Sequence, residues 1–278
     1  MKIDSHQHFW YYNETDFGWI GEEMSVLKRD YLPFELEQEL HSIEFEGTIA
    51  VQARQKLDET EWLLELAQNN QFIKGVVGWV DLCSPEIEQQ LAHFSKHPKL
   101  VGVRHVVHDE IDDDFMARPD FQYGISLLEK YKLTYDLLLF PKHLPLACKL
   151  VERFPNQHFV LDHIAKPSIR TQLCEPWATH IQALANHQNV YCKLSGMVTE
   201  GSWQNWSTND FRFYLETVFN AFGPKRLMIG SDWPVCTVAG NYGKVMNLVI
   251  DYLQQFDEET QSLILGENCN TFYFNKLK

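Results

Sequence analysis

Gly47-Thr48-Ile49-Ala50-Val51-Gln52-Ala53, followed after a short gap by Glu59-Thr60-Glu61-Trp62-Leu63-Leu64-Glu65-Leu66-Ala67-Gln68-Asn69-Asn70, is the stretch on which the fold turns. The first part is short and rich in β-branched residues, as a strand is. In the second part, the apolar residues of Glu61–Leu66 fall on one side of a helical wheel with charges opposite. The same unit recurs along the chain. Strands are expected at 2–8, 47–53, 74–81, 100–107, 133–140, 157–163, 189–195 and 226–232. Helices are expected between and after them at 34–44, 59–70, 85–96, 121–131, 143–153, 176–187, 208–222 and 243–256. Ser84-Pro85-Glu86 and Ser207-Thr208 are expected helix starts.

Eight strand-then-helix units imply parallel strands, because each crossover must be long enough to return the chain. An open, doubly wound sheet is the competing arrangement. The count of eight, and a first strand not followed by a Gly-rich nucleotide fingerprint, favour an α/β fold with one (β/α)8 TIM barrel domain over residues 1–278. A last short helix near 258–266 is expected to pack over the N-terminal end of the barrel. Two connections on the opposite face are long and aromatic. Residues 9–33 carry Phe9, Trp10, Tyr11, Tyr12, Phe17, Trp19 and Tyr31, and residues 196–207 carry Trp203 and Trp206. Active sites are built on that face, so these loops are expected to form a lid or wall for a polar ring compound, or else a minor hydrophobic cap.

The formal net charge of −14 repels phosphate backbones and anionic lipid surfaces, which argues against nucleic acid or membrane partners. Six scattered cysteines have neither C-x-x-C spacing nor the look of a disulfide framework. The N-terminal Met1-Lys2-Ile3-Asp4-Ser5-His6 turns polar too early for a signal-peptide core. A cytoplasmic location is the expectation. The oligomeric state stays open.

Three segments carry candidate chemistry. In Asp4-Ser5-His6-Gln7-His8, alternate residues of a strand share a face, so His6 and His8 point together into the barrel. Two imidazoles so placed can bind one divalent metal or polarise one carbonyl. Gly230-Ser231-Asp232-Trp233-Pro234 ends the eighth strand, across the seam from the first. Asp232 can reach the same point as ligand, general base or both, or can merely cap a turn. Leu161-Asp162-His163-Ile164-Ala165-Lys166-Pro167 brings His163 to the end of the sixth strand.

Together with Gly75–Leu82, Gly102-Val103-Arg104-His105 and Cys192-Lys193-Leu194-Ser195-Gly196, these segments resemble the amidohydrolase superfamily of the amidohydrolase-2 type, and its sugar-lactonase branch in particular. The resemblance runs over essentially the whole chain. It implies a hydrolase that opens a small aldono- or deoxyaldono-lactone such as L-fuconolactone or L-rhamnonolactone. It also implies a central cluster of His6, His8, His163 and Asp232, with Asp232 handling protons and His163 assisting. The chain departs from the binuclear pattern of the superfamily. Arg104 and His105 stand where a bridging carboxylated Lys is usual, and Tyr135-Asp136-Leu137 where a metal-binding His often stands. One divalent ion, zinc on ligand type, is therefore favoured over two, and metal-free catalysis stays open.

Around this centre Trp10 and Trp233 are expected to stack on a sugar ring, with Trp79 divided between that role and core packing. Arg54, Arg104 and Lys193 are expected to bind substrate hydroxyls or a carboxylate, or to form internal ion pairs with Asp81, Asp136 or Asp162. The competing functions are a metal-dependent decarboxylase or aromatic-acid lactone hydrolase on the same scaffold, and a non-catalytic sugar-binding protein.

Overall fold

The computed structural model describes residues 1–274; residues 275–278 of the expected domain lie outside the described residues. Eight parallel strands stand in sequential order: β1 Ile3–Gln7, β2 Gly47–Val51, β3 Ile73–Gly78, β4 Leu100–His105, β5 Thr134–Leu137, β6 Phe159–Leu161, β7 Val190–Leu194 and β8 Leu227–Ile229. Between them run α1 Pro33–Ser42, α2 Leu57–Asn69, α3 Ile87–Phe94, α4 Pro119–Leu128, α5 Leu144–Arg153, α6 Trp177–Ala185 and α7 Asn209–Phe222, with α8 Tyr242–Leu253 after β8. Short α9, Glu258–Ser262, and α10, Asn268–Phe274, follow. The strands are covered on both faces, as a parallel sheet between core and helices requires. Among the described residues no helix is long and apolar enough to cross a membrane.

The sheet closes beyond the strand ends. His8 N donates to Trp233 O at 2.7 Å and Asp232 N to His6 O at 2.8 Å, which makes this a (β/α)8 barrel. Asp4 locks the same seam: its carboxylate accepts from Ser231 N, Ser231 Oγ, His6 N and Tyr242 Oη at 2.6–3.1 Å. That one buried side chain ties the first strand to the segment carrying Asp232.

Several boundaries differ from expectation. β6 and β8 end at Leu161 and Ile229, so His163 and Asp232 lie beyond the strands. His163, Ile164, Ala165 and Lys166 all have φ between 48° and 61°, and Asp232 has φ 58°. Such left-handed backbone costs on the order of 1–3 kcal/mol per residue and persists only where the surroundings enforce it. Here Trp177 Nε1 of α6 grips Ile164 O at 2.8 Å. Before α7 the expected hydroxyl cap is not made; instead Asp210 accepts from Ser207 N and Oγ. The end of the chain goes further than expected. After α9 a π-turn at Leu263–Glu267 packs against β1 and β8, and α10 fills the barrel floor. Cys269, Phe272 and Tyr273 pack there with Ile3, Ile49, Val51, Val77, Val101, Val160 and Met228.

Candidate active site

The C-terminal mouth of the barrel holds a cleft of about 210 Å³, lined among others by His8, Trp10, Trp19, Arg104, His163 and Asp232. Its floor is a convergence of imidazoles on one carboxylate. Asp232 Oδ1 lies 3.3 Å from His8 Nε2, 3.8 Å from His163 Nε2 and 3.9 Å from His6 Nε2. His6 Nε2 and His8 Nε2 are 3.2 Å apart. Three chain segments distant in sequence therefore meet at one point. The left-handed turn after β6 swings His163 inward, and Gly196 makes room for it. A Cβ on Gly196, itself at φ 61°, would meet the His163 ring at 2.4 Å.

Hydrogen bonds orient each ring. Val51 O can only accept, so the 2.8 Å contact from His8 Nδ1 places a proton on that nitrogen and turns Nε2 toward Asp232. His163 Nδ1 meets Ser195 Oγ at 2.9 Å. Burial pulls the pKa of both His6 and His163 well below the usual imidazole range, so these rings are neutral at pH 7. Burial pushes Asp232 upward, but His163, His8 and Lys166 outweigh it and hold the carboxyl below its usual range. The cluster is thus an ionised carboxylate facing three imidazole rings.

Such a donor set fits a borderline divalent cation. His6, His8 and Asp232 offer ligand atoms within 4.8 Å of one another, as do His6, Asp162 and His163. The first trio fits better, because Asp162 is committed elsewhere. Arg104 Nη1 reaches Asp162 Oδ2 at 3.0 Å and Lys193 Nζ reaches Asp162 Oδ1 at 3.1 Å.

An amidohydrolase family profile matches residues 3–274, nearly the whole barrel. The chain belongs to the amidohydrolase-2 family. An L-fucono-1,5-lactonase of Burkholderia multivorans is 42% identical over 260 residues, covering 90% of this chain and 87% of that protein. An L-fucono-1,5-lactonase of Burkholderia ambifaria is 36% identical, covering 87% and 83%. Crystal structures of an amidohydrolase from B. multivorans, one with bound HEPES and one with bound Zn, superpose with a TM-score of 0.94 at 39% identity, covering 98% of this chain and 99% of theirs.

Among the expected substrate-binding residues of this amidohydrolase, Trp10 and Arg104 line the cleft. Three others do not. Lys193 has no accessible surface: Asp136 and Asp162 hold it inside the barrel in an internal ion pair. Arg54 turns away to Glu59 at the start of α2 and to Asp16 of the first long loop, at 3.2 and 2.7 Å. Trp233 packs edge-on against Tyr31 and Phe9 beneath the loop, because its backbone is tied into the barrel seam. Trp79 is outside the cleft as well, with Nε1 facing His105 Nδ1 at 3.4 Å.

The expected aromatic wall is half made. Trp10 and Trp19 of the first loop line the cleft. Trp203 and Trp206 turn their indole N–H groups to Thr199 O and Ala239 O and lie aside. Their place is taken by residues that sequence reasoning passed over: Val106, His108 and Asp109 after β4, Leu138 after β5, and Lys166. The available signal was positional, since polar residues just past a barrel strand sit at the mouth.

Arg54 has a consequence for this wall. Through Asp16, which also pairs with Lys56, it anchors the loop bearing Trp10 and Trp19. Asp16→Ala is expected to loosen the loop and raise KM by about fivefold, the worth of one partly exposed ion pair, with kcat within twofold. Steady-state kinetics check the split.

Proposed function

We propose that this chain hydrolyses a sugar 1,5-lactone of the L-fuconolactone type, with Asp232 as the proton-handling group. The observation that carries the reading is the convergence of His6, His8 and His163 on an ionised Asp232 at the floor of a cleft walled by tryptophans. The two L-fucono-1,5-lactonase relatives support the substrate class.

A lactone is an ester, hence a fair electrophile. Asp232 accepts a proton from water as the water oxygen bonds to the carbonyl carbon. The carbonyl π pair moves onto oxygen, which Arg104 at the cleft wall and His163 are positioned to stabilise. When the tetrahedral centre collapses, the bond to the ring oxygen breaks and that oxygen takes the proton from Asp232. A hydroxy acid results, and its ionisation releases acid. Trp10 and Trp19 offer ring faces or edges to the apolar side of the sugar. A divalent ion, zinc on donor type, would be held by His6, His8 and Asp232, with His163 nearest among the other imidazoles, and would supply Lewis-acid polarisation and acidify bound water.

The test is a pH-indicator assay on L-fucono-, L-rhamnono- and related lactones, before and after chelation. Acid release on the L-fucono substrate is expected, with activity falling after chelation and returning with zinc. If folded protein with zinc restored opens no sugar lactone, the reading is wrong; undiminished activity after chelation would remove the metal from it.

A further inference from the structure

Part of the cleft wall is the turn after β4, where Val106, His108 and Asp109 take no part in the hydrolysis. The turn is clamped at both ends. Gln55 Oε1 accepts from Val106 N at 2.8 Å. The His105 ring, stacked 4.6 Å from Phe115, meets Glu110 Oε1 through Nε2 at 2.6 Å. Between these clamps, Asp109 N and Glu110 N donate to Val106 O and Val107 O and close the backbone tightly. A wall held this way pays little ordering entropy when a ligand arrives.

His108 braces the Asp109 side chain. Its ring lies nearly parallel to Phe140 with 4.8 Å between centroids, and its Nε2 stands 3.3 Å from Asp109 Oδ1. Burial, reinforced by Lys166 and Arg104, pulls the His108 pKa down to about 3, so the ring is neutral at pH 7 and leaves the carboxylate charge uncancelled. Burial raises the Asp109 pKa while Lys166 opposes it, and the group is still ionised at neutral pH. Asp109 Oδ2 has no hydrogen-bond or ion-pair partner among the described residues. The cations of the cleft face other groups. Lys166 Nζ is 3.3 Å from Glu200 Oε1, and Arg104 gives Nη1 to Asp162 and Nη2 to Gln52.

The wall therefore presents one carboxylate oxygen with nothing to accept from. An ionised carboxylate only accepts, and it accepts strongly from hydroxyl groups. A sugar ring supplies such donors on its edge while its apolar side meets Trp10 and Trp19. We infer that Asp109 is a specificity-determining residue, whose free Oδ2 accepts from a ring hydroxyl and selects polyhydroxylated lactones over unsubstituted ones. The inference rests on the proposed lactone reaction for its substrate class.

The test separates recognition from turnover. Its first arm is calorimetric titration with 1,5-anhydro-L-fucitol, which keeps the hydroxylated ring but has no carbonyl to attack. Asp109→Ala is expected to weaken this binding about tenfold, the worth of one hydrogen bond to a charged group, and Asp109→Asn, which retains an acceptor, by less. The second arm compares kcat/KM for L-fucono-1,5-lactone with that for δ-valerolactone, the same ring without hydroxyls. The ratio is expected to fall about tenfold in Asp109→Ala. Asp109 is largely exposed on a clamped turn, so both variants are expected to fold, and their melting temperatures check it. Binding of the polyol within twofold of native in Asp109→Ala overturns the inference, as does a native chain that does not bind it. An equal loss on both lactones also overturns it. A native chain that binds the polyol through Asp109 yet opens neither lactone sinks the hydrolase reading and leaves the hydroxyl site standing.

Discussion

Asp232→Asn is expected to lower kcat by about 10²- to 10⁴-fold, the usual span for removing a general base, with the fold intact. The amide cannot take a proton from water, yet it retains size, one acceptor oxygen and tolerance of left-handed backbone. The backbone bond from residue 232 to His6 O, which closes the barrel, is unaffected by the change. Far-UV circular dichroism and the melting temperature are expected to match the parent. Retention of more than a small fraction of kcat would take proton transfer away from Asp232. The pH profile provides a second check on the same assignment. Burial raises the Asp232 pKa, but the three neighbouring groups outweigh it, so the carboxyl stays below its usual range. The base is therefore ionised at neutral pH, and activity is lost as pH falls through the depressed value. An acid limb at or below about pH 4 is expected, and a limb near pH 6 to 7 would point to an imidazole instead.

The second large effect is on stability. Lys193→Met removes the cation between two buried carboxylates and leaves Asp136 with Tyr273 as its remaining polar partner. Breaking a buried pair from one side costs about 3–5 kcal/mol, because the surviving charge stays desolvated. Burial lowers the Lys193 pKa, but Asp136 and Asp162 more than reverse it, so the native amine is charged and the loss is that of a full ion pair. A fall in melting temperature of roughly 6–20 °C follows for a chain of this size. Adding Asp136→Leu removes the stranded carboxylate and is expected to recover part of the loss. Asp162 keeps Arg104 in both variants. A Lys193→Met protein that melts within 2 °C of the parent would contradict the ion-pair assignment.

The cations divide what could be read in advance from what could not. Arg54, Arg104 and Lys193 all follow or end a strand, and each is a long cation that burial would penalise without a partner. Sequence could say that each needed an anion or a ligand, but not which. Sheet register decides. Arg104 stands opposite Asp136 across β4 and β5, but the guanidinium reaches past it to Asp162, while Lys193 takes Asp136 from β7. Only Arg104 keeps a surface in the cleft.

By itself the sequence determined the number and order of the elements, because the twofold and 3.6-fold periods that separate strands from helices are local. It also determined that His6 and His8 share a face, for the same reason, and that the polar ends of strands six and eight belong to the mouth of a barrel. Tertiary structure decided the rest. The left-handed turns that aim His163 and Asp232 are costly locally and are paid only by contacts such as Trp177 to Ile164. The exchange of Trp203 and Trp206 for Val106, His108 and Asp109 in the cleft wall depends on how loops from different units pack over one another. The descent of α10 into the floor, where Tyr273 reaches Asp136, joins residues 137 positions apart in sequence, a distance over which no local pattern carries information.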